Sequence, residues 1–482
     1  MCTPRPSALM SPKQKPFHLP ALPVEILSEI FILCLPEIPT SCELTPEFDP
    51  ERPDAPWLFM QICKAWRGIA LATPRLWQRL WVNFDPDSEV TNVFESFVAR
   101  SGALPLELAV WGIEPTPPEF DDFVDSLQIN AAKIGSLKLE MMPHNAAVLN
   151  AASFSFPRLR EVDMNLQYDS WDWEALAPVT LFRDAPSLRS VTLRRSLPWL
   201  VELPWQQLTK LVLDALHLEN CVEALRLAPN VTHVEIELNL IPLLPRPRPP
   251  PLTHHHIHYL HLLEWEEEPV SIHDADLFLL EFLTLPALEI LELGCTGRMA
   301  PSILDDFLRR SSPPLQKLQF GRYSLNLELA LWTTMEPFVG LRLAVLELES
   351  PPRTFSEPFF AALGSDIAFL PILHTLTIGF EPHGYFSIHE ARLEYLMAVA
   401  GNALTKRRRL RALANDPCSL RSLRFLSRDA WSHVPSLELE SLEILRTLKR
   451  DGLEVYIGIH NTHVMNSLHQ YTEDGVSLLE IE

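Results

Sequence analysis

The segment Pro286–Leu293, PALEILEL, sets leucine at 288, 291 and 293 in the order Leu-x-x-Leu-x-Leu, with a proline two places ahead. The fragment recurs with Val, Ile, Met or Phe standing in for Leu. It reads IGSLKL at 134, LREVDM at 159, LRSVTL at 188, LTKLVL at 208, VTHVEI at 231 and IHYLHL at 257. After LEILEL at 288 it continues as LQKLQF at 315, LAVLEL at 343, LHTLTI at 373 and LRSLRF at 420. Successive starts differ by 25, 29, 20, 23, 26, 31, 27, 28, 30 and 47 residues, so one structural unit is repeated along most of the chain. Proline also stands two residues before the opening position at 157, 186, 229, 286, 313 and 371, and punctuates each unit at the same point.

Fragment and spacing are those of a leucine-rich repeat, in which each unit offers a short strand and a helix that cannot bury their apolar sides alone. Candidate helices lie between the strands at 219–228, 271–285, 301–310, 357–370 and 389–416. The Asn or Cys expected three residues after the last apolar position is replaced by Gln167, Ser196 and Thr296. The expectation is an irregular leucine-rich-repeat-like α/β solenoid, a horseshoe, over 83–435. Residues 436–482 form a C-terminal cap of helix, Gly452 turn and closing strand. A globular α/β domain with parallel strands is the alternative.

Of 482 residues, 47% are hydrophobic and 21% charged, enough to bury a large core. Forty basic against 62 acidic residues leave a net charge of −22, which disfavours nucleic acid and anionic membranes as partners. The seven cysteines are scattered and none forms a Cys-x-x-Cys pair, which suits a reducing compartment. No apolar run reaches membrane-spanning length, and residues 1–18 read as a disordered tail without a signal-peptide core. The expected location is cytoplasmic, nuclear or both.

Ahead of the repeats, LPALPVEILSEIFILCLP (Leu19–Pro36) places Leu22, Ile26, Leu27, Ile30, Phe31 and Cys34 on one helical stripe. Pro23 suits a first helical turn, and Pro36 and Pro39 stop the helix. A second stretch, WLFMQICKAWRGIALATPRLW (Trp57–Trp77), again has helical spacing until Thr73-Pro74. Two helices this short cannot bury both apolar faces against each other. Either they cap the array or they offer a docking face.

LPVEILSEIFILCLP followed by ICKAWRGIALATPRLW resembles an F-box, closest to those of mushroom-forming fungi. The matching positions are Leu22, Pro23, Glu25, Ile26, Leu27, Ile30, Phe31, Cys63, Lys64, Trp66, Arg67, Ile69 and Ala70. The resemblance spans 19–82 and departs from the family in the acidic, proline-rich insertion 36–56, expected to be exposed. It implies a small all-α unit that docks on a Skp-type adaptor and, through it, on a cullin scaffold. The repeats would then hold an unidentified protein substrate for ubiquitin transfer. Leu22, Pro23, Ile26, Leu27, Ile30 and Trp66 are the residues expected to form or shape the adaptor surface. A non-ligase F-box and leucine-rich-repeat scaffold is the other reading.

No catalytic motif accompanies these features. The chain lacks G-x-S-x-G, G-x-x-x-x-G-K and G-x-G, and His389-Glu390 is followed by Leu393 where a zinc-binding helix needs histidine. No enzyme activity, cofactor or metal is expected. The histidine cluster 254–261 and the proline-rich run 242–252 read as a loop entering a strand, and the basic run 406–411 as a helix face. By strand alternation the outward set includes Lys138, Arg194, Lys210, Lys317 and Arg424 but is acidic in balance, with Glu235, Glu237, Glu292, Glu347 and Glu349 as the candidate substrate face. The plainer reading is that any exposed face of so acidic a chain carries such residues.

Overall fold

The computed structural model describes residues 22–36, 55–84, 89–113, 120–142, 145–166, 178–239, 249–265, 279–294, 301–321, 336–380, 386–415, 420–427 and 439–459. The tail 1–18, most of the insertion 36–56 and most of the proline-rich run 242–252 lie outside them. Three helices come first: α1 (Val24–Leu33), α2 (Trp57–Ile62) and α3 (Lys64–Ala72). Then follow β1 (Arg79–Asn83), α4 (Val90–Arg100), β2 (Leu106–Ile113), α5 (Phe120–Asn130), β3 (Ile134–Met141) and α6 (Ala146–Ala151). The middle of the chain holds β4 (Glu161–Leu166), β5 (Ser190–Arg194), β6 (Lys210–Leu216), α7 (Leu218–Leu227), β7 (His233–Asn239), β8 (Leu252–Thr253) and β9 (Tyr259–Trp265). Next come α8 (Leu279–Phe282), β10 (Leu283–Thr284), β11 (Ile290–Leu293), α9 (Pro301–Ser311), β12 (Lys317–Phe320) and β13 (Val345–Glu349). The last elements are α10 (Arg353–Ser365), β14 (Thr375–Phe380), α11 (Phe386–Leu413), β15 (Ser422–Ser427), α12 (Leu439–Arg450) and β16 (Glu454–Ile459).

All strands except β8 and β10 join one 14-stranded sheet in chain order, and each neighbouring pair is parallel. This is an α/β solenoid: each strand of the sheet lies beside its neighbour in sequence order, and helices occupy most of the connections. All eleven Leu-x-x-Leu-x-Leu fragments fall on strands of this sheet, and their fourth and sixth positions pair in register. The ladder Leu291↔Leu318↔Leu346↔Leu376 is one stretch of it. Register also exposes three further units. Leu80 pairs Leu108 and Leu423 pairs Val455, which puts Trp77 and Gly452 at the opening position of β1 and β16. In β2 a register shift after Leu106 pairs that buried leucine with the opening Ile134.

The repeated proline has a direct backbone role. The opening N–H of Leu159, Leu188, Val231, Leu288 and Leu373 donates to the carbonyl three residues earlier, at 3.1–3.3 Å. Proline thus occupies the second position of a β-turn, where its fixed φ costs nothing and its missing N–H is not needed. The carbonyl after the opening residue then accepts two N–H groups from the next unit, as Glu289 O does from Gln316 and Lys317 at 2.7 and 3.1 Å. Ser196 takes the place of the absent Asn: its hydroxyl accepts from Leu166 N–H at 3.2 Å and donates to Arg194 O at 2.8 Å, tying adjacent units. Gln167 and Thr296 lie outside the described residues.

First, fourth and sixth positions feed one continuous apolar core running from Phe31 to Ile457. Helices α7, α9 and α11 follow the expected ranges closely. Two differ. Only Leu279–Phe282 of the 271–285 segment is helical among the described residues, because Leu283–Thr284 instead pairs with Leu252–Thr253. Helix α10 starts a turn before the expected 357 despite Pro358 inside it, because Phe355 and Phe359 stack 5.3 Å apart in the core. The closing unit is α12, a turn at Gly452 with φ 88°, and β16, which pairs with β15 as the last strand of the sheet.

Helices α1–α3 pack around a small aromatic centre. Phe31 stacks on Phe59 at 4.2 Å and meets Trp66 at 4.7 Å. Their junction with the array is a second centre, where Trp77 lies 5.4 Å from Trp57 and 5.1 Å from Phe97 with the Arg100 guanidinium over both indoles. The Trp77 indole N–H also donates to Ala70 O at 2.9 Å.

Candidate functional site

Two surfaces stand out, one apolar and one charged. Eight of the thirteen exposed large apolar side chains among the described residues lie between Leu22 and Leu71: Leu22, Val24, Ile26, Ile30, Leu33, Leu58, Ile62 and Leu71. Helix geometry explains the split. Phe31 points inward and is buried, whereas Ile26 and Ile30, one turn apart, are 49% and 40% exposed on another face. Of the residues expected at an adaptor surface, Leu22, Pro23, Ile26 and Ile30 are exposed and Leu27 is half-buried. Trp66 is half-buried on Phe31 and Phe59, so it braces the helices and shows only part of its ring. Leu33, one turn beyond Ile30, falls on the same side of α1, and Val24, Leu58, Ile62 and Leu71 are exposed elsewhere on the three helices.

The charged surface is the strand face opposite the helices. Strand alternation sends third, fifth and seventh positions to it, and their charges interlock across strands. Asp163 pairs with Lys138 at 3.5 Å and Arg194 at 3.0 Å, and Arg194 also holds Asp214. Glu235 meets Lys210 at 2.9 Å. Lys317 bridges Glu292 at 2.9 Å and Glu347 at 3.2 Å, and the Tyr259 hydroxyl donates to Glu292 at 2.7 Å. Of the predicted acidic residues, Glu235, Glu292 and Glu347 are therefore built into this face as members of ion pairs.

Titration follows those contacts. Burial works against the Glu292 carboxylate, yet Lys317, Tyr259 and His261 hold its pKa below the usual range. Burial likewise opposes the Lys317 charge, but Glu347 and Glu292 lift its pKa above that of a free lysine. Glu237 behaves differently: burial, then the neighbouring Asp214, pushes its pKa up against the pull of Arg194.

The other two clusters have structural partners. In the basic run, Arg407 is 2% exposed and donates to the carbonyls of Leu363, Asp366, Phe369 and Leu370 at 2.8–3.2 Å, closing the end of α10. Arg411 reaches Pro371 O at 2.6 Å, and Arg408 reaches Asp451 O at 3.1 Å beyond α12. These arginines are not a free helix face. Among the histidines, the His254 and His256 rings bond Ala228 O at 3.1 Å and Pro229 O at 2.9 Å, at the end of α7. No cluster of three or more metal-ligating side chains occurs among the described residues, and none of their helices is long and apolar enough to cross a membrane.

Fold and surfaces together define an α/β solenoid with an all-parallel sheet, preceded by a helical unit with an outward apolar face. Compared with protein-family models and with curated proteins, the chain matches none.

Proposed function

We propose that the chain is the substrate-recognition subunit of a Skp-cullin-F-box type ubiquitin ligase. In this reading α1–α3, which resemble an F-box, dock on the Skp-type adaptor, and the strand face holds a protein substrate. The observation that carries it is that eight of the thirteen exposed large apolar side chains among the described residues fall between Leu22 and Leu71, since concentrated exposed apolar surface marks protein–protein contact. The chain would do no covalent chemistry. Its contribution is proximity, which converts an encounter between substrate and ubiquitin-carrying enzyme into an effectively intramolecular step.

The test is affinity purification of the full chain beside a variant carrying Leu22→Ala, Pro23→Ala and Ile26→Ala. Adaptor and cullin should accompany the parent chain and disappear from the variant. Absence of both from the parent purification sinks the proposal. Adaptor without cullin replaces it with a non-ligase scaffold.

A further inference from the structure

The first strand of the sheet, β1, pairs with β2 on one side only. Gln78 O accepts from Glu107 N–H at 2.7 Å and Phe84 N–H donates to Trp111 O at 3.0 Å, so the even-numbered residues here direct their backbone groups to β2. The parallel ladder then turns the N–H and C=O groups of Arg79, Trp81 and Asn83 outward, along the free edge. Among the described residues none pairs with these backbone groups. Proteins blunt such an edge with proline, a bulge, a charged side chain laid across it or a covering element. β1 contains no proline and meets β2 without a register shift. Arg79 turns inward to Glu107 on β2, at 2.9 Å. The preceding helices reach the array through Trp57 and Trp77 on Phe97 of α4, on the helix side of the sheet.

We propose that the free edge of β1 takes an extended segment of a partner protein as an added strand. A row of alternating donors and acceptors is satisfied as a set by another backbone in β conformation, so hydrogen-bond complementarity defines the occupant. Trp81, half-buried at the fifth position of the strand face, is the ring against which a β-branched or aromatic residue of that segment packs. A second copy of this chain fits less well. Five residues of edge bury far less than the roughly 1,600 Å² of a stable interface, and a net charge of −22 opposes self-association. The added strand extends the charged face by one unit. The inference rests on the receptor reading for the identity of the partner as substrate, and deepens it by naming how the substrate is held.

The probe is a fluorescent peptide, Lys-Thr-Val-Thr-Val-Thr-Lys, titrated onto the full chain by anisotropy beside two copies N-methylated at alternate residues in opposite phase. One phase should lose binding at least about tenfold and the other should stay within about twofold, because every second N–H of an added strand faces β1. Trp81→Pro removes an outward N–H that the sheet does not use, so it should melt cooperatively yet bind the peptide at least about tenfold more weakly. Trp81→Val keeps the N–H and should stay within about threefold. With the tryptophans labelled by nitrogen-15, exchange of the Trp81 backbone N–H should slow at least about tenfold on peptide addition. That of Trp111, whose backbone already pairs with β1, should not change. The methylated peptides and the amide exchange decide the matter if Trp81→Pro does not fold. No binding by the unmethylated peptide, equal effects of the two methylation phases, or a Trp81 amide that does not slow overturns the proposal. So does a dimer of the parent chain that Trp81→Pro dissolves, which gives the edge to a second copy. Trp81→Pro should still capture the adaptor, and the Leu22/Pro23/Ile26 alanine variant should keep full peptide affinity. Failure of adaptor capture alone sinks the ligase reading, and failure of peptide binding alone sinks this one.

Discussion

The repeat array and the three helices ahead of it use apolar side chains in opposite ways. Along the array, Leu288, Leu291 and Leu293 and their equivalents are almost wholly buried, and each unit's apolar edge is covered by the next. In α1–α3 the apolar residues divide between a small aromatic centre and an outward face. One region is closed on itself by stacking; the other keeps a surface that stacking does not cover. Substitutions should therefore cost stability in the array and cost binding in the helices.

The largest expected effect tests the closed half. Arg407→Leu removes a donor from four backbone carbonyls running from the last turn of α10 to Leu370, of which Asp366 O and Leu370 O keep a backbone N–H. Buried acceptors left unpaired cost about 1–3 kcal/mol each, so the unfolding free energy from a urea titration should fall by about 4 kcal/mol. Lys406→Ala, beside it in the same basic run, should change stability by less than about 0.5 kcal/mol. Similar effects for the two would mean that Arg407 is a solvated surface charge.

At the seam between the regions, Trp77→Ala should cost about 3 kcal/mol through its ring contacts and the hydrogen bond to Ala70. Limited proteolysis should then release α1–α3 before the array is cut. Simultaneous digestion of both would show that the helices and the first repeats unfold as one body.

A smaller effect comes from pH. The His254 Nε2 faces the Ala228 carbonyl, which can only accept, and Nδ1 faces the His256 N–H at 3.3 Å, which can only donate. The buried ring is thus the neutral Nε2–H tautomer, and protonation would put a hydrogen against the His256 N–H. Burial, with smaller help from His256 and His255, lowers its pKa even though the bond to Ala228 opposes the shift. The folded pKa lies below the unfolded one, so this contribution is complete above about pH 6.5 and is lost as pH falls through the window below it. The melting temperature should drop between about pH 7.5 and pH 5.5, and less so in His254→Asn. An identical drop in both chains removes His254 from the account.

How far these features were legible depends on what carries each signal. The units at Leu288, Leu315 and Leu343 could be read directly, because period and register are written in the same leucines that fill the core. Those at Trp77, Leu106 and Gly452 could not, since pairing with a neighbouring strand, not local pattern, assigns their register. Helix α10 begins before the expected 357 because Phe355 is held helical by stacking on Phe359, a tertiary contact that local pattern does not show. On the charged face, alternation pointed to Glu235, Glu292, Glu347, Lys210 and Lys317, but which lysine holds which carboxylate shows only once the strands are in register. The buried amide oxygens of Asn83, Asn165 and Gln319 carried no signal at all, because an unsatisfied acceptor is visible only once its neighbours are placed.

The smallest stability effect bears most on function. Ile26 and Ile30 occupy α1 beside Phe31, and all three belong to the stripe that periodicity treats as one face. Their exposures, 49%, 40% and 1%, separate them. Phe31→Ala should cost about 3 kcal/mol by emptying the aromatic centre. Ile26→Ala with Ile30→Ala removes little buried surface and replaces two β-branched residues by the best helix former, so stability should stay within about 0.5 kcal/mol of the parent. If this face is the docking surface, the same double variant should lose adaptor capture by at least about tenfold, since buried apolar anchors dominate such interfaces. A chain that melts like its parent yet no longer binds would assign these isoleucines to the contact. Equal destabilisation by Phe31→Ala and the double variant would return them to the core and leave α1–α3 as a cap.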